Sequence, residues 1–180
     1  MTIRNKVTGE WNTFPCGKCP ECLARRTSGW SFRLMEESKR AESAHFVTLT
    51  YATAPVTKKG FMTLCKKDVQ DFFKRLRYYL GKDVKIKYYV VGEYGTRTLR
   101  PHYHAIIFGA NYYGIEKAWS LDNKRIGLVH YGVVNGASVG YTLKYMSKPS
   151  KIPLHKNDDR VKEFSLMSKG LAATISHLGC

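Results

Sequence analysis

Apolar and polar positions along the chain switch between two periods, and the switches mark the elements. Residues 45–51, "HFVTLTY", alternate and are rich in β-branched and aromatic side chains, which predicts a strand. Residues 66–81, "KKDVQDFFKRLRYYLG", place Val69, Phe72, Phe73, Leu76, Tyr79 and Leu80 at i, i+3, i+4, i+7, i+10 and i+11. That is one apolar stripe of a helix, with Gly81 as its C′ residue. Strand patterns return at 84–94, "VKIKYYVVGEY", from Pro101 onward in "PHYHAIIF", and at 128–134, "LVHYGVV". Residues 136–148, "GASVGYTLKYMSK", read as a helix capped by Asn135 or Ser138 and stopped by Pro149. Ahead of these lies a basic helix over 21–40, with Pro20 in its first turn and Leu23, Trp30 and Leu34 on one side. Gly29 weakens it by about 1 kcal/mol relative to Ala. Residues 1–15 read as an extended polar lead-in, "PCGKCPEC" at 15–22 as a tight turn, and after Pro149 the pattern fades.

Helix, strand, helix, three strands and a helix, joined by short loops, predict an α+β fold: a central antiparallel sheet with helices on one face. No window approaches 18 uninterrupted apolar residues, and "MTIRNKVTGEW" has no apolar leader core. A cytoplasmic protein with no membrane partner is therefore expected.

Charge narrows the partners. Thirty Lys and Arg stand against fourteen Asp and Glu, a net +16 in 180 residues. Such an excess repels itself in a compact fold unless a polyanion neutralises it, and nucleic acid is the obvious one. Arg25 and Arg26 on the first helix, Lys74, Arg75 and Arg77 on the second, and Arg97 and Arg100 before Pro101 are the candidate DNA contacts. Phosphate contacts position DNA without selecting sequence.

Three clusters carry candidate chemistry. His102 and His104, two apart on a strand, project from one face, and a hairpin through 95–100 brings Glu93 beside them. Two imidazoles and a carboxylate suit a divalent metal; with a phosphate substrate Mg²⁺ or Mn²⁺ is the choice, acting as a Lewis acid on a phosphoryl oxygen. Tyr141 and Tyr145 lie four apart on one helical face, with Lys144 and Lys148 close by to favour the phenolate. A phenolate attacking phosphorus would displace a 3′ hydroxyl and keep the 5′ phosphate on tyrosine. Cys16, Cys19 and Cys22 form C-x-x-C-x-x-C, one short of the four ligands of a structural zinc. Cys65 or His45 could supply the fourth, but nothing in the sequence places either nearby, so structural Zn²⁺ is not favoured over a turn of partly buried thiols.

"FVTLTY" (46–51), "GEYGTRTLRPHYH" (92–104) and "YTLKYMSK" (141–148) stand in the order of the three motifs of the HUH endonucleases. With "PCGKCPEC" and "FFKRLR" they resemble the replication initiators of the microviruses, single-stranded-DNA phages, and of the gokushovirus type in particular. The resemblance implies a ferredoxin- or RRM-like sheet and three segments: 1–44 with the cysteine turn and basic helix, a catalytic core at 45–150, and a C-terminal segment at 151–180. It implies metal-dependent nicking of single-stranded or supercoiled phage origin DNA, a 5′-phosphotyrosine link, synthesis by host helicase and polymerase in the bacterial cytoplasm, and rejoining of the circle. It makes His102, His104 and Glu93 the metal ligands and Tyr141 and Tyr145 the nucleophiles, with Thr48 and Thr50 shaping the site. Tyr103 replaces the usual aliphatic between the histidines and is expected to face the core. The sequence stops at Cys180, earlier than the resemblance implies; a region that helps bind duplex origin or helicase would lie beyond it. Two other readings predict different behaviour. A non-catalytic single-strand-binding module, stacking bases on Tyr88, Tyr89 and Tyr103, would bind without metal and form no adduct. A relaxase or transposase relative would share the chemistry and differ in its task.

Overall fold

The alternating stretches form one sheet whose order in space differs from their order in sequence. The computed structural model describes residues 2–147 and 152–171. In chain order the elements are β1 (Thr2–Arg4), β2 (Trp11–Thr13), α1 (Pro20–Arg40), β3 (Ala44–Thr50), α2 (Lys66–Leu80), β4 (Lys87–Tyr94), β5 (Pro101–Phe108), α3 (Tyr112–Ala118), β6 (Ser120–Leu121), β7 (Lys124–Arg125), β8 (Val129–Gly132), α4 (Gly136–Ser147) and β9 (Phe164–Met167). Five strands pair antiparallel in the order β8–β3–β5–β4–β9, with β5 at the centre. Among the described residues no helix is long and apolar enough to cross a membrane.

The α+β class and the antiparallel sheet stand as expected; the expectation of helices on one face alone is corrected, for they cover both. β4 and β5 are buried at nearly every position, so each alternate set of side chains needs its own cover. On one face α2 and α3 bury Val69, Phe72, Phe73, Leu76 and Ile115 against Val47, Leu49, Ala105 and Ile107. On the other, α1 and α4 bury Leu34, Val139 and Leu143 against Tyr89, Val91, Ile106 and Phe108. Each such apolar side chain stabilises its helix by about 1.5–3 kcal/mol, as an upper estimate. That is why helices with ordinary propensities hold.

Local chemistry sets the helix ends. Asn135 Oδ1 accepts from the Ser138 N–H at 2.9 Å, and the Ser138 hydroxyl accepts from the Asn135 N–H at 2.9 Å. This reciprocal cap starts α4 where the sequence placed it. Asn111 Oδ1 likewise accepts from the Gly114 N–H at 2.7 Å and starts α3, an element the periodicity did not show. β9 was also unforeseen; it adds to the free edge of β4, pairing Gly92 with Phe164 and Tyr89 with Met167.

Candidate metal centre and tyrosine pair

Register builds the cluster. β4 and β5 pair Glu93 with His102 and Val91 with His104; β3 and β5 pair Thr48 with His104 and Thr50 with His102. Directly opposed residues of an antiparallel pair share a face. Glu93, His102, His104 and Thr48 therefore stand together on the face under α1 and α4. Tyr103 points to the other face, fully buried, where its hydroxyl meets that of Tyr51 at 2.7 Å and donates to the Cys65 carbonyl at 3.0 Å. Gly92, its cross-strand partner, makes room: a Cβ there would lie 3.1 Å from the Tyr103 ring.

One carboxylate oxygen organises the site. Glu93 Oε1 lies 2.9 Å from His102 Nε2 and 2.8 Å from His104 Nε2, and the ligand atoms of all three residues lie within 4.8 Å of one another. Glu93 is 3% exposed. The outer ring nitrogens are held as well. His102 Nδ1 donates to the Arg100 carbonyl at 3.1 Å, and His104 Nδ1 hydrogen-bonds the Thr48 hydroxyl at 2.9 Å. A carbonyl only accepts, so His102 Nδ1 carries a proton and its Nε2 is the atom turned to the cluster. Phe46 stacks on the His104 ring, 5.7 Å between centroids and 7° from parallel.

The residues fit a cation. His104 Nε2 is buried and makes no hydrogen bond; its approach to Glu93 is short but off the donor line. A buried polar nitrogen without a partner is costly, and coordination would satisfy it. Two nitrogens and a carboxylate that leave open positions are a mixed set that several divalent metals accept.

The tyrosines of α4 reach the same oxygen. The Tyr141 hydroxyl donates to Glu93 Oε1 at 3.2 Å, and Tyr145 hydrogen-bonds the same carboxylate and Tyr141. The two rings sit 5.9 Å apart, and Tyr141 meets the His104 ring edge-on at 5.0 Å. Val139 and Leu143 anchor α4 in the core, which leaves the tyrosines at the rim of the buried stripe, Tyr141 being 41% exposed.

Charge states follow from these contacts. Burial works to raise the Glu93 pKa, but the hydrogen bonds from His102 and Tyr145 and the close approach of the His104 imidazole outweigh it and bring it down to about 2. Burial lowers that of His102, and the Glu93 carboxylate and Arg100 carbonyl more than restore it, for a net rise. Both phenols are pushed up, by burial first and then by the Glu93 charge, against which a hydrogen bond from Tyr145 partly relieves Tyr141. A carboxylate alone beside them keeps both protonated.

The remaining candidates scatter. Lys144 is exposed on α4, and Lys148 lies outside the described residues. Arg25 and Arg26 are exposed on α1, on the cluster's side of the sheet. Lys74, Arg75 and Arg77 belong to α2, across the sheet from the tyrosines. Arg75 donates to the Ala118 carbonyl at 2.8 Å, and Lys74 pairs with Asp71 at 3.0 Å. Arg97 is exposed; Arg100 binds the carbonyls of Tyr51 and Ala52, the latter at 2.9 Å. Tyr89 and Tyr103 are buried and Tyr88 is stacked on Phe73 at 3.5 Å, so the stacking platform of a bare sheet is absent among the described residues. Cys16, Cys19 and Cys22 converge on one another, and neither Cys65 nor His45 joins them. Phe46 went unseen in the sequence because only the register brings it to His104, and the Arg100 carbonyl because backbone acceptors leave no mark in a sequence.

A five-stranded antiparallel sheet carries the Glu–His–His cluster beneath a helix with two tyrosines, and comparison of sequences gives the family. The chain belongs to the family of replication-associated proteins of the ORF2 type, whose model matches residues 44–150, more than half of its length. It is 29% identical over 180 aligned residues to the replication-associated protein ORF2 of Spiroplasma virus 4, covering 89% of this chain and 56% of that protein. It is 37% identical over 99 residues to replication-associated protein ORF4 of Chlamydia phage 1, and 33% identical over 101 to replication-associated protein VP4 of Bdellovibrio phage phiMH2K. Those two matches cover 53% of this chain and 24% and 31% of the relatives, so the chain spans about half the length of the first relative and less of the others. All three are microvirus proteins. No solved structure matches the chain.

Proposed function

We propose that this protein initiates rolling-circle replication of a phage genome by nicking single-stranded origin DNA with a tyrosine. The observation that carries this reading is the sharing of Glu93 Oε1 by both imidazoles and by the Tyr141 hydroxyl. Nucleophile and metal ligands thus sit within a single phosphate's reach of one another.

Glu93, His102 and His104 would hold the divalent cation, Mg²⁺ or Mn²⁺. When bound, it would supply Lewis-acid polarisation of a phosphoryl oxygen and a positive field that favours phenolate. The chain's own residues do the rest. Glu93, with a pKa near 2, is too weak a base to keep a phenol's proton; it holds the hydroxyl in position. Thr48 and the Arg100 carbonyl fix the ring orientations, and Phe46 covers the back of His104. The tyrosine oxygen forms a bond to phosphorus, the bond from phosphorus to the 3′ oxygen breaks, and that oxygen leaves with a proton as a 3′ hydroxyl. The number of phosphoester bonds is unchanged, so a later 3′ hydroxyl can attack the phosphotyrosine and reseal the strand. The second tyrosine allows one DNA end to be held while the other attacks. Host helicase and polymerase would supply the synthesis between.

Incubation with labelled single-stranded origin DNA and Mn²⁺ tests this directly. The wild-type chain should yield a denaturant-stable adduct at a 5′ end, and Tyr141→Phe with Tyr145→Phe should abolish it while DNA binding persists. An undiminished adduct in the double variant would remove both residues from the nucleophile's role.

A further inference from the structure

Tyrosine chemistry leaves the three clustered cysteines without a task. Cys16 and Cys22 place their sulfurs 3.8 Å apart, and the sulfurs of all three residues lie within 4.8 Å of one another. Metal–sulfur bonds of about 2.3 Å at a tetrahedral angle put two sulfurs about 3.8 Å apart. The backbone is shaped for this. Gly17, at φ +72°, turns the chain between the first two cysteines. Cys19 stands at the N-cap of α1, its N–H donating to Cys16 Sγ at 3.2 Å, and Pro20 opens the helix so that Cys22 falls in the first turn. An N–H directed at a sulfur orients a ligating thiolate as outer hydrogen bonds orient other metal ligands.

Core burial does not account for them: Cys16 is exposed, and Cys19 and Cys22 are only half-buried. A disulfide does not account for them either, since three thiols cannot all pair. The three share a cleft of about 460 Å³ with Phe14, Glu21 and Arg25.

We propose that Cys16, Cys19 and Cys22 bind one soft divalent cation of the Zn²⁺ class as thiolates, with the fourth coordination position open. Neither Cys65 nor His45 is needed. Cys65 lies at the start of α2 on the other face of the sheet, and His45 Nε2 bonds the Ala110 carbonyl at 2.9 Å. The ion has structural work to do. β1 and β2 are exposed at every position, and Trp11 is 68% exposed, so this hairpin has no core of its own. A two-stranded hairpin alone is marginal in water, and metal binding that exists only in the folded form stabilises that form. The chain then holds two centres sorted by ligand chemistry: thiolates for a soft ion at the N-terminal turn, and imidazoles with a carboxylate on the sheet.

The test uses the whole chain, stripped of metal and titrated with Co²⁺, and is independent of nicking. Thiolate ligands give a sulfur-to-cobalt charge-transfer band that the Glu93–His102–His104 cluster cannot produce. One equivalent of Co²⁺ should develop this band, Zn²⁺ should displace it, and Mg²⁺ should not. The combined Cys16→Ser, Cys19→Ser and Cys22→Ser variant should lose the band, and His102→Ala with His104→Ala should keep it. Absence of the band in wild-type chain whose circular dichroism shows it folded would overturn the proposal, whatever the variants do. Persistence of the band in the serine variant would also overturn it.

Discussion

His104 shows how one side chain's chemistry is fixed by neighbours on three sides. Thr48 holds Nδ1, Phe46 covers the ring face, and Tyr141 meets it edge-on. Thr48→Val keeps the branched shape and removes only the hydroxyl. Loss of such an outer hydrogen bond costs about 10–100-fold in metal affinity. Calorimetric titration with Mn²⁺ should show a fall of that size, with the far-ultraviolet circular dichroism unchanged. Unaltered affinity would mean that Phe46 and Tyr141 fix the ring without help. The histidines, Glu93 and the tyrosines were legible because their spacings, i+2 on a strand and i+4 on a helix, are local. The orienting groups were harder to read. Thr48 could be named, but its bond to His104 depends on a partner 56 residues away. The acceptor of Arg75, the Ala118 carbonyl, was equally hidden, because it ends a helix that the pattern did not reveal.

Among the elements, those with a full period were legible and those without one were not. α2 and the alternating run of β3 carry enough residues to declare themselves. α3 has seven residues, under two turns, and β9 has four that are all half-buried. β9 exists because the edge of β4 offers unpaired backbone groups, a fact of tertiary structure. The stretch leading into it is tied down by an ion pair. Asp158 and Arg160 meet through two bonds of 2.8 Å, and the Asp158 carboxylate also accepts the Leu154 N–H at 2.8 Å. The Arg160 bond chiefly holds the Asp158 pKa well below its ordinary value. A depressed carboxyl contributes stability above its unfolded pKa of about 3.9 and loses it as pH falls through that value toward the folded one. Asp158→Asn should therefore melt below wild type at pH 7, and the gap should close on acidification below about pH 4. A gap that stays constant with pH would show that the charge on Asp158 is not what stabilises this stretch.

At the scale of the molecule, the two covered faces divide the surface into a side with the tyrosines and a side without them. The sign of helices on both faces lay in the continuous apolar runs of β4 and β5, residues 88–91 and 105–108, and not in the alternation of β3. The division has an electrostatic consequence. Arg25 and Arg26 stand on α1 beside α4, whereas Lys74 and Arg77 stand on α2 behind the sheet. DNA bound at the tyrosines should feel the first pair more. Arg25→Ala with Arg26→Ala should weaken binding and flatten the salt dependence by about 0.7 in log–log slope per lost phosphate contact. Lys74→Ala with Arg77→Ala should change both less, and equal effects would place DNA on both sides. The alignment of β4 on β5 has one more implication. Sliding that pair by a single residue would preserve its backbone bonds but invert its side chains, driving two imidazoles among Phe72 and Leu76 and turning the bulk of Tyr103 outward. Neither core could then close. A molecule that assembles at all has thereby brought Glu93, His102 and His104 together, and a well-folded slip of this hairpin has no way to accumulate.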